Sequence, residues 1–83
     1  MYRIIIRSKA IKDLKGQSPE VQRRILNKIE YYSSVDSPLS FAHPLVHSGG
    51  LYRFRNGDYR IIFHIQEDLI VIHAIGHRRE IYK

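Results

Sequence analysis

The stretch Tyr52 to Ile65, YRFRNGDYRIIFHI, constrains the fold more than any other part of this chain. Apolar and basic residues alternate on both sides of Asn56-Gly57. An Asn-Gly pair between alternating runs is a strong hairpin signal, because a type I′ turn needs positive φ at both central residues. With those two residues as the loop, Arg55 faces Asp58, Phe54 faces Tyr59 and Arg53 faces Arg60. Tyr52, Phe54, Tyr59, Ile61, Phe63 and Ile65 then share an apolar face that should carry the core. The opposite face holds Arg53, Arg55, Arg60, Ile62 and His64. Directly opposed like charges destabilise a sheet. Asp58 can answer Arg55 but not all three arginines, and a bound phosphate would relieve the rest through bidentate guanidinium contacts.

The flanking sequence supplies the other elements. Tyr2 to Arg7 reads as a short strand. Ser8 can cap a helix from Lys9 to Lys15, with Ile11 and Leu14 on one face and Gly16 as the stop. Ser18-Pro19-Glu20 is a helix start: Ser at the cap, Pro at the first turn, and Glu at the positive end of the dipole. Val21, Ile25, Ile29 and Tyr32 then form an amphipathic stripe, with Arg23, Arg24 and Lys28 facing elsewhere. Residues 36–50 carry two prolines and two glycines and read as a long loop with at most a turn of helix. Strands Leu51–Arg55, Asp58–Gln66 and Leu69–Ile75 follow, the last two joined by a tight turn at Glu67-Asp68. That turn places Ile70, Ile72 and Ala74 on the core face and Val71, His73 and Ile75 on the open face. The order is β-α-α-β-β-β. It defines an α+β domain over residues 1–83, an antiparallel sheet with two N-terminal helices packed on one face.

Charge narrows the function. Fourteen Lys and Arg oppose eight Asp and Glu, giving +6 and a pI near 9.9. A basic domain of this size points to a polyanionic partner. There is no cysteine, so disulfides contribute nothing and a reducing cytoplasm is the expected compartment. The longest apolar run near the start is three residues, too short for a signal peptide or a membrane span. His43 and His47 have metal-like spacing, but Pro44 lies between them and no cysteine or carboxylate completes a site. No phosphate-cradling glycine motif is present. No metal or cofactor is therefore expected.

The tail, GHRREIYK from Gly76 to Lys83, emerges beside the arginine face. Together with GDYRIIFHI it resembles the RelE/ParE superfamily of bacterial and archaeal toxins, and the resemblance covers nearly the whole chain. The RelE branch implies a cytoplasmic, metal-independent endoribonuclease that cuts mRNA on the ribosome and is neutralised by a cognate RelB-like antitoxin. By motif, Arg53, Arg55, Arg60, Arg78 and Tyr82 occupy that branch's basic and tyrosine positions. Metal-free RNA cleavage needs a base for the 2′-hydroxyl, cations for the phosphorane and an acid for the 5′-oxygen. Arg60 and Arg78 would stabilise the transition state. Arg53, Arg55 and Arg79 would hold phosphates, and Arg23, Arg24 and Lys28 would contact RNA or remain solvated.

The chain departs from that branch where Arg53 and Arg55 replace lysines. Arginine stays charged and cannot act as a base. Tyr82 is the first candidate, since nearby cations favour the phenolate. His77 is the second because its reference pKa is near neutrality, and Glu80 is the third. Two rivals remain: a ParE-like, non-nucleolytic inhibitor of DNA gyrase, and a weak relative that mainly binds its antitoxin. Ile62, Val71 and Ile75 on the open face are expected to need a cover. An antitoxin segment that also displaces the tail would provide it.

Overall fold

The computed structural model describes residues 1–81. Strand β1 (Arg3–Ile6) leads into helix α1 (Ser8–Lys15) and helix α2 (Pro19–Ser34). A 3-10 turn (Pro38–Phe41) and a two-residue strand β2 (His43–Pro44) follow. Strands β3 (Tyr52–Asn56), β4 (Tyr59–Gln66) and β5 (Leu69–His77) complete the domain. The five strands form one sheet in the order β1-β5-β4-β3-β2. The α+β class is as expected.

The sheet differs from expectation in two ways. It is mixed, because β1 runs parallel to β5 with Ile4 beside Ile70 and Ile6 beside Ile72. A parallel pair needs a long crossover, and the helices and the other strands supply it. The segment 36–50 also contributes β2, which pairs His43 with Arg53 at the sheet edge.

The second helix starts as its sequence dictates. The Ser18 hydroxyl accepts from the Val21 amide at 3.3 Å, a cap worth about 1 kcal/mol. Its stripe is buried at Ile25, Ile29 and Tyr32. In α1 the cap position is Arg7, not Ser8, and no side chain caps it. Ala10 and Leu14, four apart, face the core, and Ile11 is exposed.

The core is built on aromatic rings. Tyr32 of α2 stacks on Phe54 of β3, and Phe54 on Phe63 of β4, each pair at 4.0 Å between centroids. Phe54 and Phe63 are fully buried. This column ties the long helix to the middle of the sheet, and Ile61, Ile70, Ile72 and Ile75 pack around it.

The first hairpin is displaced by one residue from the expected register. Asn56 pairs with Tyr59, Arg55 with Arg60 and Arg53 with Ile62, so the loop residues are Gly57-Asp58. Gly57 has φ +62°, and neither Asn56 nor Asp58 has positive φ. Glycine at the first central position is the type II′ pattern, not I′. The displacement moves partners by two residues, so every side chain keeps its predicted face.

The second hairpin keeps its turn, with Gln66 opposite Leu69. A bulge then changes its parity. Phe63 pairs with Ile72 but Ile62 pairs with Ala74, leaving His73 as the extra residue. An extra residue inverts the alternation beyond it. Ile75 therefore enters the helix-side core, and Ala74 leaves it, contrary to the expected faces. Ile62 and Val71 do lie on the open face, yet they are only 6% and 7% exposed. The register sets Ile62 between Arg53 and Ala74, and Val71 between Ile5 and His64. They need no external cover.

β1 ends before β5 does, so the Ile75 amide has no strand partner on that edge. The Asp13 carboxylate of α1 accepts from it at 3.0 Å and also accepts from Lys9 at 2.7 Å. Leaving a buried amide unsatisfied costs roughly 1–3 kcal/mol. Asp13→Ala is therefore expected to lower unfolding free energy by about 2 kcal/mol in urea titration with an unchanged slope. Lys9→Ala, which removes only a surface pair, should lower it by less than about 0.5 kcal/mol.

Candidate functional site

The bulge determines where the tail arrives. Beyond it, His77 pairs with Tyr59 at the base of the first turn. The Arg78 amide then donates to the Asp58 carbonyl at 2.7 Å, which closes the ladder at the hairpin tip. Residues 77–81 fold into a turn, with the Glu80 and Ile81 amides donating to the His77 carbonyl. Gly76 permits this return: a Cβ there would lie 3.2 Å from the Ile81 Cδ1.

Asp58 is the anion at the centre of a cationic tip. Its carboxylate lies 3.7 Å from Arg78 Nε and 4.0 Å from His77 Nε2. It answers those two groups and not Arg55, the partner expected from sequence. Both members of the Arg78–Asp58 pair are more than half exposed. Exposed pairs are worth about 0–1 kcal/mol, so Arg78 can exchange Asp58 for a phosphate at little cost.

The opposed arginines are Arg55 and Arg60, and they resolve their repulsion within the chain. Arg60 is buried, and its Nη1 donates to the carbonyls of Gly57 and Tyr59 at 3.0 and 3.1 Å. Arg55 extends into solvent. No bound phosphate is required to make this pairing tolerable. Arg60 braces the turn from beneath, and Arg55 and Arg78 offer the exposed charge.

The remaining predicted residues divide around this tip. Arg79 is exposed beside it. Arg53 is half-buried in the sheet, next to His43 and Ile62 in the register. Arg24 comes close from α2: its carbonyl accepts from the Asn56 side-chain Nδ2 at 3.3 Å. Arg23 and Lys28 lie on the exposed face of α2. Tyr82 lies outside the described residues.

His77 makes a hydrogen bond through one ring nitrogen. Nδ1 accepts from the Arg79 amide at 3.2 Å, and Nε2 faces Asp58. In the neutral ring this puts the proton on Nε2. The ring also meets Tyr59 edge-on at 5.7 Å, and Tyr59 donates to Gln17 at 3.1 Å. In this arrangement Nδ1 ties the ring to the tail, while Nε2, at 4.0 Å from Asp58, stands beyond hydrogen-bond reach of that carboxylate. The roles of Asp58 and Arg24 had only weak sequence signals: Asp58 follows the turn glycine, and Arg24 depends on helix packing that no local pattern specifies.

The bulge residue creates a second titratable pair. His73 Nε2 and His64 Nδ1 lie 2.6 Å apart, with the rings stacked at 4.8 Å. The His73 pKa is pushed below its usual 6.5, first by burial, then by the neighbouring His64 and Arg7. A depressed folded-state pKa means the unfolded chain binds the extra proton more readily. The resulting stability is fully present above the ordinary pKa and is lost as pH falls through the folded value. Stability by chemical denaturation should thus fall as pH is lowered below about 6.5. His73→Gln should flatten that fall without abolishing it.

Comparison with known proteins fits this architecture. Solved structures with the same fold include a chain of the RelBE2 toxin-antitoxin complex of Mycobacterium tuberculosis, with TM-score 0.77 and 24% identity over 93% of this chain and 98% of that one. A chain of the RelB-RelE antitoxin-toxin complex of Methanococcus jannaschii matches with TM-score 0.75 and 26% identity, covering 94% of each chain. The archaeal RelE-RelB complex of Pyrococcus horikoshii gives TM-score 0.75 and 28% identity over 95% of this chain and 97% of that one. No curated protein matches the chain. The family model for the ParE toxin of type II toxin-antitoxin systems matches residues 4–82. The chain belongs to that family, within the RelE/ParE toxin superfamily.

Proposed function

We propose that this toxin is a metal-independent endoribonuclease that cuts mRNA on the ribosome. The observation that supports it most is the meeting of the tail with the hairpin tip. Arg55, Arg78 and Arg79 flank one turn there, and the Asp58 carboxylate lies beside Arg78. Such a cluster suits a phosphate that gains negative charge in the transition state. In the reaction the 2′-oxygen would bond to phosphorus as its proton passes to a base. The bond from phosphorus to the 5′-oxygen would break as that oxygen takes up a proton. The products are a 2′,3′-cyclic phosphate and a 5′-hydroxyl.

Arg78 is the residue for the transferring phosphate, because its present partner is an exposed carboxylate. Arg55 and Arg79 hold the flanking phosphates, and Arg60 positions the tip from below. Tyr82 is the first choice for the proton transfer. His77 is the second choice, with Nδ1 taken by the Arg79 amide and Nε2 4.0 Å from the Asp58 carboxylate. The partner that silences the toxin would be an antitoxin of the RelB type, since several chains sharing the fold come from RelB complexes.

A second reading, inhibition of DNA gyrase without RNA cleavage, is favoured by the match to the ParE toxin model. Expression in a bacterial host separates the two. A nuclease should stop amino-acid incorporation within minutes, before any DNA-damage response. Arg78→Ala should then require roughly a hundredfold more toxin for equal arrest, the usual cost of losing one charge-stabilising donor. DNA breaks with incorporation still running would replace the first reading with the second.

A further inference from the structure

A groove opens on the other side of the same hairpin turn, between α2 and the 3-10 turn. It encloses about 530 Å³ and is lined by Arg24, Asn27, Lys28, Tyr31, Phe41 and Asn56, with Tyr32 at its base. Its lining contains two cations, two side-chain amides and three aromatic rings, and no carboxylate. Tyr31 is 50% exposed and Phe41 45% exposed. Neither exposure is needed for the core, whose ring column uses the buried Tyr32. The two exposed rings meet edge-to-face at 6.0 Å, and the Lys28 ammonium lies 5.5 Å from the Tyr31 centroid.

We infer that this groove holds an unpaired base of single-stranded RNA, next to the phosphate handled at the hairpin tip. This inference rests on the ribonuclease reading and extends it to a second contact. Three observations support it. Exposed rings beside cations are the composition that stacks bases and tracks a phosphate backbone. Asn27 and Asn56 can bond a base edge; Asn56 gives an N–H to the Arg24 carbonyl and retains its oxygen as an acceptor. The groove is also continuous with the tip. A Cβ on Gly57 would stand 3.6 Å from Arg24 Nη2, and the Gly57 carbonyl receives Arg60 Nη1 at 3.0 Å. The turn thus lies between two guanidinium groups, one facing the groove and one bracing the tip. An acidic helical peptide would also satisfy the charge, and the test below sets it against RNA.

The test is fluorescence anisotropy with the full chain and a labelled RNA hexamer bearing 2′-O-methyl riboses, which 2′-attack cannot cleave. Tyr31→Ala should weaken binding roughly tenfold without changing the salt dependence, as expected for loss of one stacked base. Lys28→Ala should weaken it and lower the salt slope by about 0.7, the value per neutralised phosphate on single strands. Both positions are exposed, so the fold should tolerate both changes. Equal affinity of wild type and Tyr31→Ala would overturn the inference, as would absence of hexamer binding. A glutamate-rich amphipathic peptide would also overturn it if its binding alone depended on Tyr31. Arrest of incorporation with hexamer binding indifferent to Tyr31 leaves the nuclease reading standing and removes the groove. Tyr31-dependent binding without arrest does the reverse.

Discussion

The bulge at His73 governs the arrangement of the functional end. One extra residue in β5 inverts its alternation halfway along. Ile75 then packs into the helix-side core, and His77 shares a face with Tyr59. The tail consequently leaves the sheet against Asp58 and the first turn. Were His73 instead paired in a regular, unbulged ladder, Tyr59 would face Gly76 and His77 would fall on the opposite face, and the cationic tail would leave the sheet in a different direction. Bulges commonly re-aim side chains near active sites, and this one aims an entire C-terminal segment.

The cost of that geometry is met locally. The Ile75 amide lies beyond the reach of β1, and Asp13 satisfies it from α1. The bulged His73 rests against His64, where burial first and then His64 and Arg7 lower its pKa. At the tip, buried Arg60 spends donors on the turn carbonyls, so the exposed arginines can stay extended. The ring column of Tyr32, Phe54 and Phe63 holds α2 against the two strands of the hairpin. The tip is therefore hydrogen-bonded from beneath by Arg60, while its outer charges are weakly committed. That combination suits binding of a phosphate whose charge changes during reaction.

Much of this was legible in the sequence, and the failures have physical causes. The amphipathic stripe of α2, its Ser-Pro start and the apolar face of the first hairpin follow from periodicity and local hydrogen bonding. The turn slipped by one residue because Asn-Gly and Gly-Asp both offer a glycine, and only packing selects between types I′ and II′. The faces survived, since the slip moved partners by two. Ile75 was misplaced because a bulge leaves no local signature when the inserted residue is an ordinary histidine. Strand β2 escaped notice because two residues, one a proline, carry no period. The candidate arginines were visible as charge, but their division into a buried brace and exposed charges depends on the register. Ile62 and Val71 looked exposed from alternation alone, yet both are almost fully buried between their register neighbours.

Membership of the family establishes a toxin, and the cationic tip suggests what it attacks. The most direct measurement is primer extension on a defined mRNA in a reconstituted translation system, with ribosomes present or withheld. The account predicts cuts that appear only on translating ribosomes and leave a 2′,3′-cyclic phosphate on the upstream fragment. Full-length mRNA in both conditions, or cuts that leave 5′-phosphates, would contradict it.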